Sequence, residues 1–512
     1  MRVYNVNKAI GLASSGVEYA QRYRREIFAG IRWADDYYVF TDYISPHLTY
    51  FSDRLGFDRA QVLWIYNLVS GRQTLPSTLT VDDVLATLGQ PHADPQTFPD
   101  YVDVALSGAV RHRLRTLDGQ VVERVETLVG DQVVRVEHYD ETLNNVEHFH
   151  DGRLARRVFY TPGGRVAAEQ LYRDGEIART LITPASPLYE QPARRGGRRP
   201  SSFGGDVVLE GRSRFFQHVF GHLLNRPDDV VIVDRALDVI DGIYPVLGDH
   251  RLYSVVHAEH FDLKQVDDGV LLWNNHYENV FTRPDLVDAF IVSTRRQQER
   301  LEAQLAARLD DFTVTCIPVG AVGQAAAPRE YDRFTLVTAS RLADEKHIDL
   351  LVRATSMARQ AVPELRLDVY GEGNRDPLLA VIRETRAEEY VRLMGHRRLD
   401  GVLGSYGLYV SASTSEGFGL SLLEAIAEGL PIVGFDVEYG NREMVESGVN
   451  GQLVPYTSTD RDVAALAEAI VEIVTSESLD DLRKQSLRKA EAYTAENVRR
   501  LWEQLLREEE SC

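Results

Sequence analysis

Ser415-Glu416-Gly417-Phe418-Gly419-Leu420-Ser421-Leu422-Leu423-Glu424-Ala425 is the stretch on which the reading of this chain turns. It follows the strand-like run Leu408-Tyr409-Val410-Ser411 and opens into a helical pattern. Gly417 and Gly419 let a backbone come close to a ligand, and the free N–H groups of a helix start favour an anion there. The spacing of Glu416 and Glu424 predicts one carboxylate at the helix mouth and the other about two turns inside.

Three more segments of the same build lie upstream. Ala339-Ser340-Arg341-Leu342-Ala343-Asp344-Glu345-Lys346-His347 comes directly after the apolar run Thr335-Leu336-Val337-Thr338. Arg341 and Lys346 then fall in a strand-to-helix loop, where two cations can hold a diphosphate and stabilise its charge as it leaves. Tyr370-Gly371-Glu372-Gly373-Asn374 follows Leu367-Asp368-Val369, and Met394-Gly395-His396-Arg397 follows a short apolar piece. With Pro431-Ile432-Val433-Gly434-Phe435 as a further strand and a helical stretch from Asp462 to Glu509, these make an α/β domain.

A second α/β set begins at the N-terminus. Val3-Tyr4-Asn5-Val6, the turn Gly11 to Gly16 and the amphipathic Val17 to Phe28 read as strand, turn and helix. Tyr38-Val39-Phe40 and Val62-Leu63-Trp64-Ile65-Tyr66 suit buried parallel strands, as do Asp229 to Asp234, Leu252 to His257 and Ala289 to Ser293. Two such sheets facing each other leave a cleft at their carboxyl strand ends. Between Thr80 and Ile182 the pattern leans towards alternation instead. Turn dipeptides recur at Asp118-Gly119, Gly130-Asp131, Asp151-Gly152, Gly163-Gly164 and Asp174-Gly175, which predicts an inserted meander of antiparallel hairpins. Its exit, Ala193 to Pro200, is a basic run with the composition of a mobile loop.

Composition sets the outer bounds. The chain has 512 residues, too many for one core, with 57 Lys+Arg against 77 Asp+Glu and a formal charge of −20. That acidity argues against nucleic acid as a partner, and an anionic ligand then needs a local cationic site. Two cysteines, Cys316 and Cys512, make no disulfide framework and suit a reducing compartment, so a cytoplasmic location is expected. The basic run at 193–200 reads first as solvated surface, with contact with an acidic partner or the inner face of the cell membrane as the sharper option.

The motif order resembles the C-terminal half of retaining, nucleotide-sugar-dependent glycosyltransferases of family 4. Their GT-B fold has two Rossmann-like domains facing a cleft. Asn5 to Ala20 (NVNKAIGLASSGVEYA), Val255 to Phe261 (VVHAEHF), Thr338 to Leu350 (TASRLADEKHIDL), Ser411 to Glu424 and Gly434 to Asn441 (GFDVEYGN) are similar to the GtfA type. Enzymes of that type start the O-glycosylation of serine-rich-repeat adhesins in the bacterial accessory secretion pathway. Two departures from the type are a higher arginine content and Leu12, where an aromatic is common.

The resemblance implies the following. Residues 1–75 and 200–328 form the acceptor-side Rossmann-like domain, 76–199 the inserted antiparallel sheet, 329–490 the nucleotide-sugar-binding domain and 491–512 a C-terminal helix. Gly16, Val17, Glu18 and Tyr19 border the diphosphate, and His257 lies beside the donor sugar. Arg341 and Lys346 bind the diphosphate, while His396 and Arg397 lie alongside the nucleotide. Glu416, Gly417, Phe418 and Gly419 hold the sugar hydroxyls, and Glu424 binds the ribose. The implied reaction transfers N-acetylglucosamine from UDP-N-acetylglucosamine to Ser or Thr hydroxyls of an adhesin, with a GtfB-like subunit that binds the acceptor and docks on the inserted sheet. No metal is expected, since no Asp-x-Asp signature ends a strand; Asp310-Asp311 and Asp480-Asp481 are adjacent pairs in polar surroundings. A transferase acting on a cell-wall polyol phosphate is the alternative enzyme, and a non-catalytic binding subunit the alternative of another class.

Overall fold

The computed structural model describes the chain apart from residues 11–15, 44–46, 89–94, 118, 191–200, 204, 268–269, 324–328, 400, 460 and 508–512. The expected turn at 11–15 with Leu12, the turn residue Asp118, the basic run at 193–200 and Cys512 lie outside the described residues. The chain divides into two compact units. The first comprises Met1–Glu18, Arg32–Val255 and Asn275–Asp288; the second comprises Tyr19–Ile31, Val256–Asn274 and Ala289–Cys512. No described helix is long and apolar enough to cross a membrane.

In the first unit five strands pair in parallel, in the order Arg251–Val256, Val230–Val233, Arg2–Asn7, Asp35–Phe40 and Val62–Trp64. Their near-continuous apolar sequences are buried, as parallel strands covered on both faces require. The last strand is shorter than expected. It stops at Trp64, and Ile65–Ser70 is a helix ended by Gly71 in the left-handed conformation. Burial on every side gives Val62 to Tyr66 no period by which strand and helix could be told apart.

The insertion is an eleven-stranded sheet. From Gln96–Thr97 to Glu176–Ile182 consecutive strands pair antiparallel as a meander. Asp151-Gly152 and Asp174-Gly175 both take positive φ (49°, 72° and 53°, 84°), which fits the primed turns that match strand twist. The sheet runs on past the expected boundary at 199. Asp206–Glu210 pairs with Glu176–Ile182, and Ser201–Phe203 adds beyond it as the edge strand. At the other end, helix Val81–Leu88 lays Val84 against Val102, Val104, Leu114, Val122 and Val125.

Two polar clusters join this sheet to the α/β part of the same unit. Arg72 is buried, and its guanidinium donates to both oxygens of Asp140 (2.5 and 2.7 Å), to the carbonyls of Tyr160, Leu143 and Thr161, and to Thr142 Oγ1. All three nitrogens are engaged, the condition under which a buried ion pair offsets its desolvation. In the second cluster Arg157 stacks on Tyr43, 3.2 Å from the ring centroid, and donates to Glu147 at 2.6 Å. His138 donates its Nε2 proton to the other Glu147 oxygen at 2.8 Å, and Tyr43 Oη donates to Asn145 at 2.6 Å.

The second unit is built on a six-stranded parallel sheet in the order Val391–Gly395, Arg366–Tyr370, Asp332–Ala339, Tyr406–Ser411, Ile432–Phe435, Gly451–Val454. Leu336 and Val337, adjacent on one strand, belong to opposite cores, so the sheet is covered on both faces. The expected C-terminal helical stretch is Arg461–Thr475, Leu479–Ala490 and Ala495–Arg507. The last of these sets Trp502 edge-on against Phe28, with Arg24 over the indole.

Replacing Arg72 by Met strands Asp140 as an unpaired buried charge, so urea unfolding should show a loss of about 3–5 kcal/mol. Glu147 sets an acid limb. Burial pushes its carboxyl up, but the His138 hydrogen bond and the Arg157 charge outweigh that and bring it down to about 2 from 4.5. Its contribution is therefore full above pH 4.5 and lost as the pH falls through about 2. Urea midpoints measured from pH 5 down to pH 2 should fall less steeply for Glu147→Gln than for the unaltered chain.

Candidate functional site

In the second unit the strand order reverses at Asp332–Ala339. The chain moves outward from it through Arg366–Tyr370 and Val391–Gly395, then returns to its other side with Tyr406–Ser411. Loops leaving the carboxyl ends of the two neighbours therefore part, and such a switch point is where parallel α/β sheets bind ligands. Lys346 follows the first of these strands and Glu416 the second. Lys346 Nζ lies 2.6 Å from Glu416 Oε1, with side-chain exposures of 14% and 16%. The small cavity beside the pair is lined by Ala339, Ser340, Tyr409, Ser413 and Ser421 as well.

Tyr409, fully buried beneath this cavity, ties the two loops together. Its hydroxyl donates to the Ala339 carbonyl at 3.0 Å, accepts from Ala339 N at 3.1 Å and meets Ser421 Oγ at 3.0 Å. Burial pushes its pKa up to about 12, so it remains a neutral hydroxyl at physiological pH. Thr414 N donates to the Glu345 carbonyl at 3.3 Å, adding a second tie. The Gly371-Glu372-Gly373 loop is bound in by Leu342 N to the Glu372 carbonyl and Ser340 N to the Tyr370 carbonyl.

Gly417 has a steric reason to be glycine. A Cβ there would lie 2.1 Å from the His257 carbonyl oxygen, so the Glu416–Gly419 loop and the His257 segment meet backbone to backbone. Gly419, at φ 82°, caps helix Leu420–Ala427. Phe418 is buried, edge-on to Tyr493. Glu424 is the fifth residue of that helix and so lies just over one turn inside rather than two, because the helix begins four residues after Glu416. It accepts a hydrogen bond from Tyr23 at 3.1 Å.

The other expected residues are placed differently. Arg341 is exposed and pairs with Glu345 on its own loop at 3.0 Å, a contact of small energetic weight. His396 and Arg397 are exposed after the strand Val391–Gly395. Arg397 donates to Tyr370 at 2.7 Å, and that hydroxyl continues through Tyr406 to Asp368 and Arg392. Gly16, Val17 and Glu18 belong to the first unit, where buried Glu18 lies 3.6 Å from Arg235; Tyr19 belongs to the second.

The structure thus gathers Lys346, Glu416, Gly417 and His257, and adds residues that the sequence reading passed over: Tyr409, Tyr23, and Tyr439, whose backbone N–H donates to the Glu416 carbonyl and whose hydroxyl donates to Glu259. Tyr409 reads as one more apolar strand position, and Tyr439 is one residue of the GFDVEYGN block with no spacing to mark it. Among the described residues, no group of three or more His, Cys, Asp or Glu side chains is placed to hold a metal ion.

A family model of group 1 glycosyl transferases matches residues 333–476, the stretch containing the switch point. The chain is 36% identical, over 99% of both sequences, to the UDP-N-acetylglucosamine–peptide N-acetylglucosaminyltransferase GtfA subunit of Streptococcus gordonii. Among solved structures it is similar to the pneumococcal O-GlcNAc transferase GtfA in complex with UDP and GlcNAc, with a TM-score of 0.89 and 33% identity over 99% of both chains. It is also similar to a chain of the GtfA/B complex, with a TM-score of 0.86 and 34% identity at the same coverage.

Gly417→Ala forces one of two backbones to give way. Overpacking of this kind costs about 1–3 kcal/mol, which a shift of the unfolding midpoint in urea should register.

Proposed function

The chain belongs to the GtfA family of UDP-N-acetylglucosamine–peptide N-acetylglucosaminyltransferase subunits, and from that premise we propose that it transfers N-acetylglucosamine from UDP-N-acetylglucosamine to Ser or Thr hydroxyls of a serine-rich-repeat adhesin. It is a GT-B glycosyltransferase, and it works with a GtfB-like subunit that presents the acceptor. The observation that carries the reading is the Lys346–Glu416 pair at the switch point of the second sheet.

Lys346 holds the donor diphosphate and neutralises the charge that grows on it as the glycosidic bond breaks, with Arg341 as a second, outer cation. Glu416 and the N–H groups from Gly417 to Gly419 receive the sugar hydroxyls, and Glu424 the ribose. His257 flanks the sugar, His396 and Arg397 lie along the nucleotide, and Gly16 to Tyr19 border the diphosphate. The acceptor hydroxyl attacks on the face the diphosphate leaves, so the anomeric configuration is retained. This route asks the protein for charge stabilisation and positioning rather than for a nucleophile. It also needs no metal, since a lysine at the diphosphate takes the part a divalent cation would play. Domain roles follow: the first unit serves the acceptor, the inserted sheet docks the partner, and the second unit binds the donor. A cytoplasmic site of action, where nucleotide sugars are made, completes the reading, with peripheral membrane contact through the basic run at 193–200.

The test is incubation with a panel of UDP-sugars and a Ser/Thr-rich peptide, with and without the co-expressed partner, read by intact mass. Addition of N-acetylhexosamine should dominate. Lys346→Ala and Glu416→Ala should each lower transfer about 100-fold, the scale on which charge-stabilising groups act. Undiminished transfer by Glu416→Ala would remove the assignment. Chelation should leave the rate as it is, and loss restored by manganese would overturn the metal-free route.

A further inference from the structure

Tyr439 stands where three segments of the second unit meet. Its backbone N–H donates to the Glu416 carbonyl at 2.7 Å, the neighbouring Gly440 N–H reaches the same oxygen at 2.8 Å, and Glu416 N donates to the Glu438 carbonyl at 3.3 Å. The residue is therefore locked to the loop that begins at Glu416. Its side chain reaches the other segment: the ring is buried and stacked on His260, 6.3 Å between centroids at 24°, and its hydroxyl donates to Glu259 Oε1. Glu259 is two residues from His257.

The 257–260 segment is held from behind as well. Gln297 Nε2 donates to the Ala258 carbonyl at 2.8 Å, and His260 Nε2 meets Gln304 Oε1 at 2.7 Å, both from helix Arg295–Ala306. Asn274 Nδ2 donates to the Glu259 carbonyl at 3.0 Å. These contacts fix where the segment sits against its own helix and hairpin. They do not reach the Glu416–Gly419 loop. On that side Gly417 meets the His257 carbonyl backbone to backbone, and Tyr439 adds a directional hold through its hydrogen bond to Glu259 and its ring stacked on His260.

We propose that Tyr439 and Glu259 are positioning residues that set His257 in register with the loop from Glu416 to Gly419. Burial of Glu259 raises its pKa and burial of Tyr439 raises that of the phenol, so the donor keeps its proton. A hydrogen bond to a carboxylate withdrawn from water is among the stronger contacts a side chain makes. The inference rests on the transferase reading for its kinetic consequence and on geometry alone for its structural one. Neither residue is assigned to the reacting atoms; both act by holding His257 and the loop from Glu416 in place.

The test compares Tyr439→Phe, Glu259→Ala and Glu259→Gln in the full chain with its partner. Phenylalanine keeps the ring on His260, so folding is preserved, and glutamine keeps an oxygen to accept from Tyr439. Tyr439→Phe and Glu259→Ala should lower kcat about tenfold or more while KM for UDP-N-acetylglucosamine moves by less than about threefold, because misplacement within a bound complex acts on the chemical step. Glu259→Gln should recover most of the loss. Amide hydrogen exchange across residues 255–260 should quicken in the first two variants and not in the third. Wild-type kcat in Tyr439→Phe, equal losses in the alanine and glutamine variants, or exchange that stays unchanged would each overturn the proposal. Should the unaltered chain transfer no sugar, the transferase reading falls, and the exchange measurement still decides the positioning contact.

Discussion

The Lys346–Glu416 ion pair is the contact around which the second unit is arranged. Two mostly buried charges at 2.6 Å hold each other at the place where the sheet order reverses. Neither loop could keep its charged residue there alone, because a single charge withdrawn from water costs far more than a pair. Paired, the site is close to neutral within a chain of formal charge −20. On the proposed reading, an arriving diphosphate would meet one cation already held at this point, and the carboxylate would turn to neutral hydroxyls. The overall acidity of the chain describes its surface and not this site.

Everything that surrounds the pair keeps two loops at a set separation. Tyr409 hydrogen-bonds across the base, Thr414 and Glu345 join backbone to backbone, and Gly417 leaves the space that a Cβ would take from the His257 carbonyl. The first unit applies the same logic on a larger scale. Arg72 and the Tyr43–Arg157–Glu147–His138 cluster fasten a long antiparallel sheet to a parallel one through fully engaged polar groups. Apolar packing could join the two sheets but would leave their relative register loose; directional hydrogen bonds define it.

Much of this was legible in the chain. The glycine-bearing loops after apolar runs marked the strand ends of the second sheet, and Asp151-Gly152 and Asp174-Gly175 marked hairpins that form with primed turns. What was illegible has a common cause. Trp64 to Tyr66 has no period, so the change from strand to helix there was hidden. Helix Leu420–Ala427 begins later than its glycines suggested, which brought Glu424 a turn nearer its mouth. Arg341 and Lys346 look alike in the same loop, yet one is exposed and bound to its own loop while the other is mostly buried and paired across the crevice.

The sequence by itself determined the class of fold, the order of its strands and helices, and the loops that carry the candidate site, because period, turn residues and glycine placement act over a few neighbouring positions. Only the tertiary structure decided which side chains meet. Lys346 and Glu416 are 70 residues apart, Arg72 and Asp140 are 68, and Glu259 and Tyr439 are 180. Pairings over such separations depend on how loops close over packed sheets and on which charges can share a space shielded from water, and no local pattern records either.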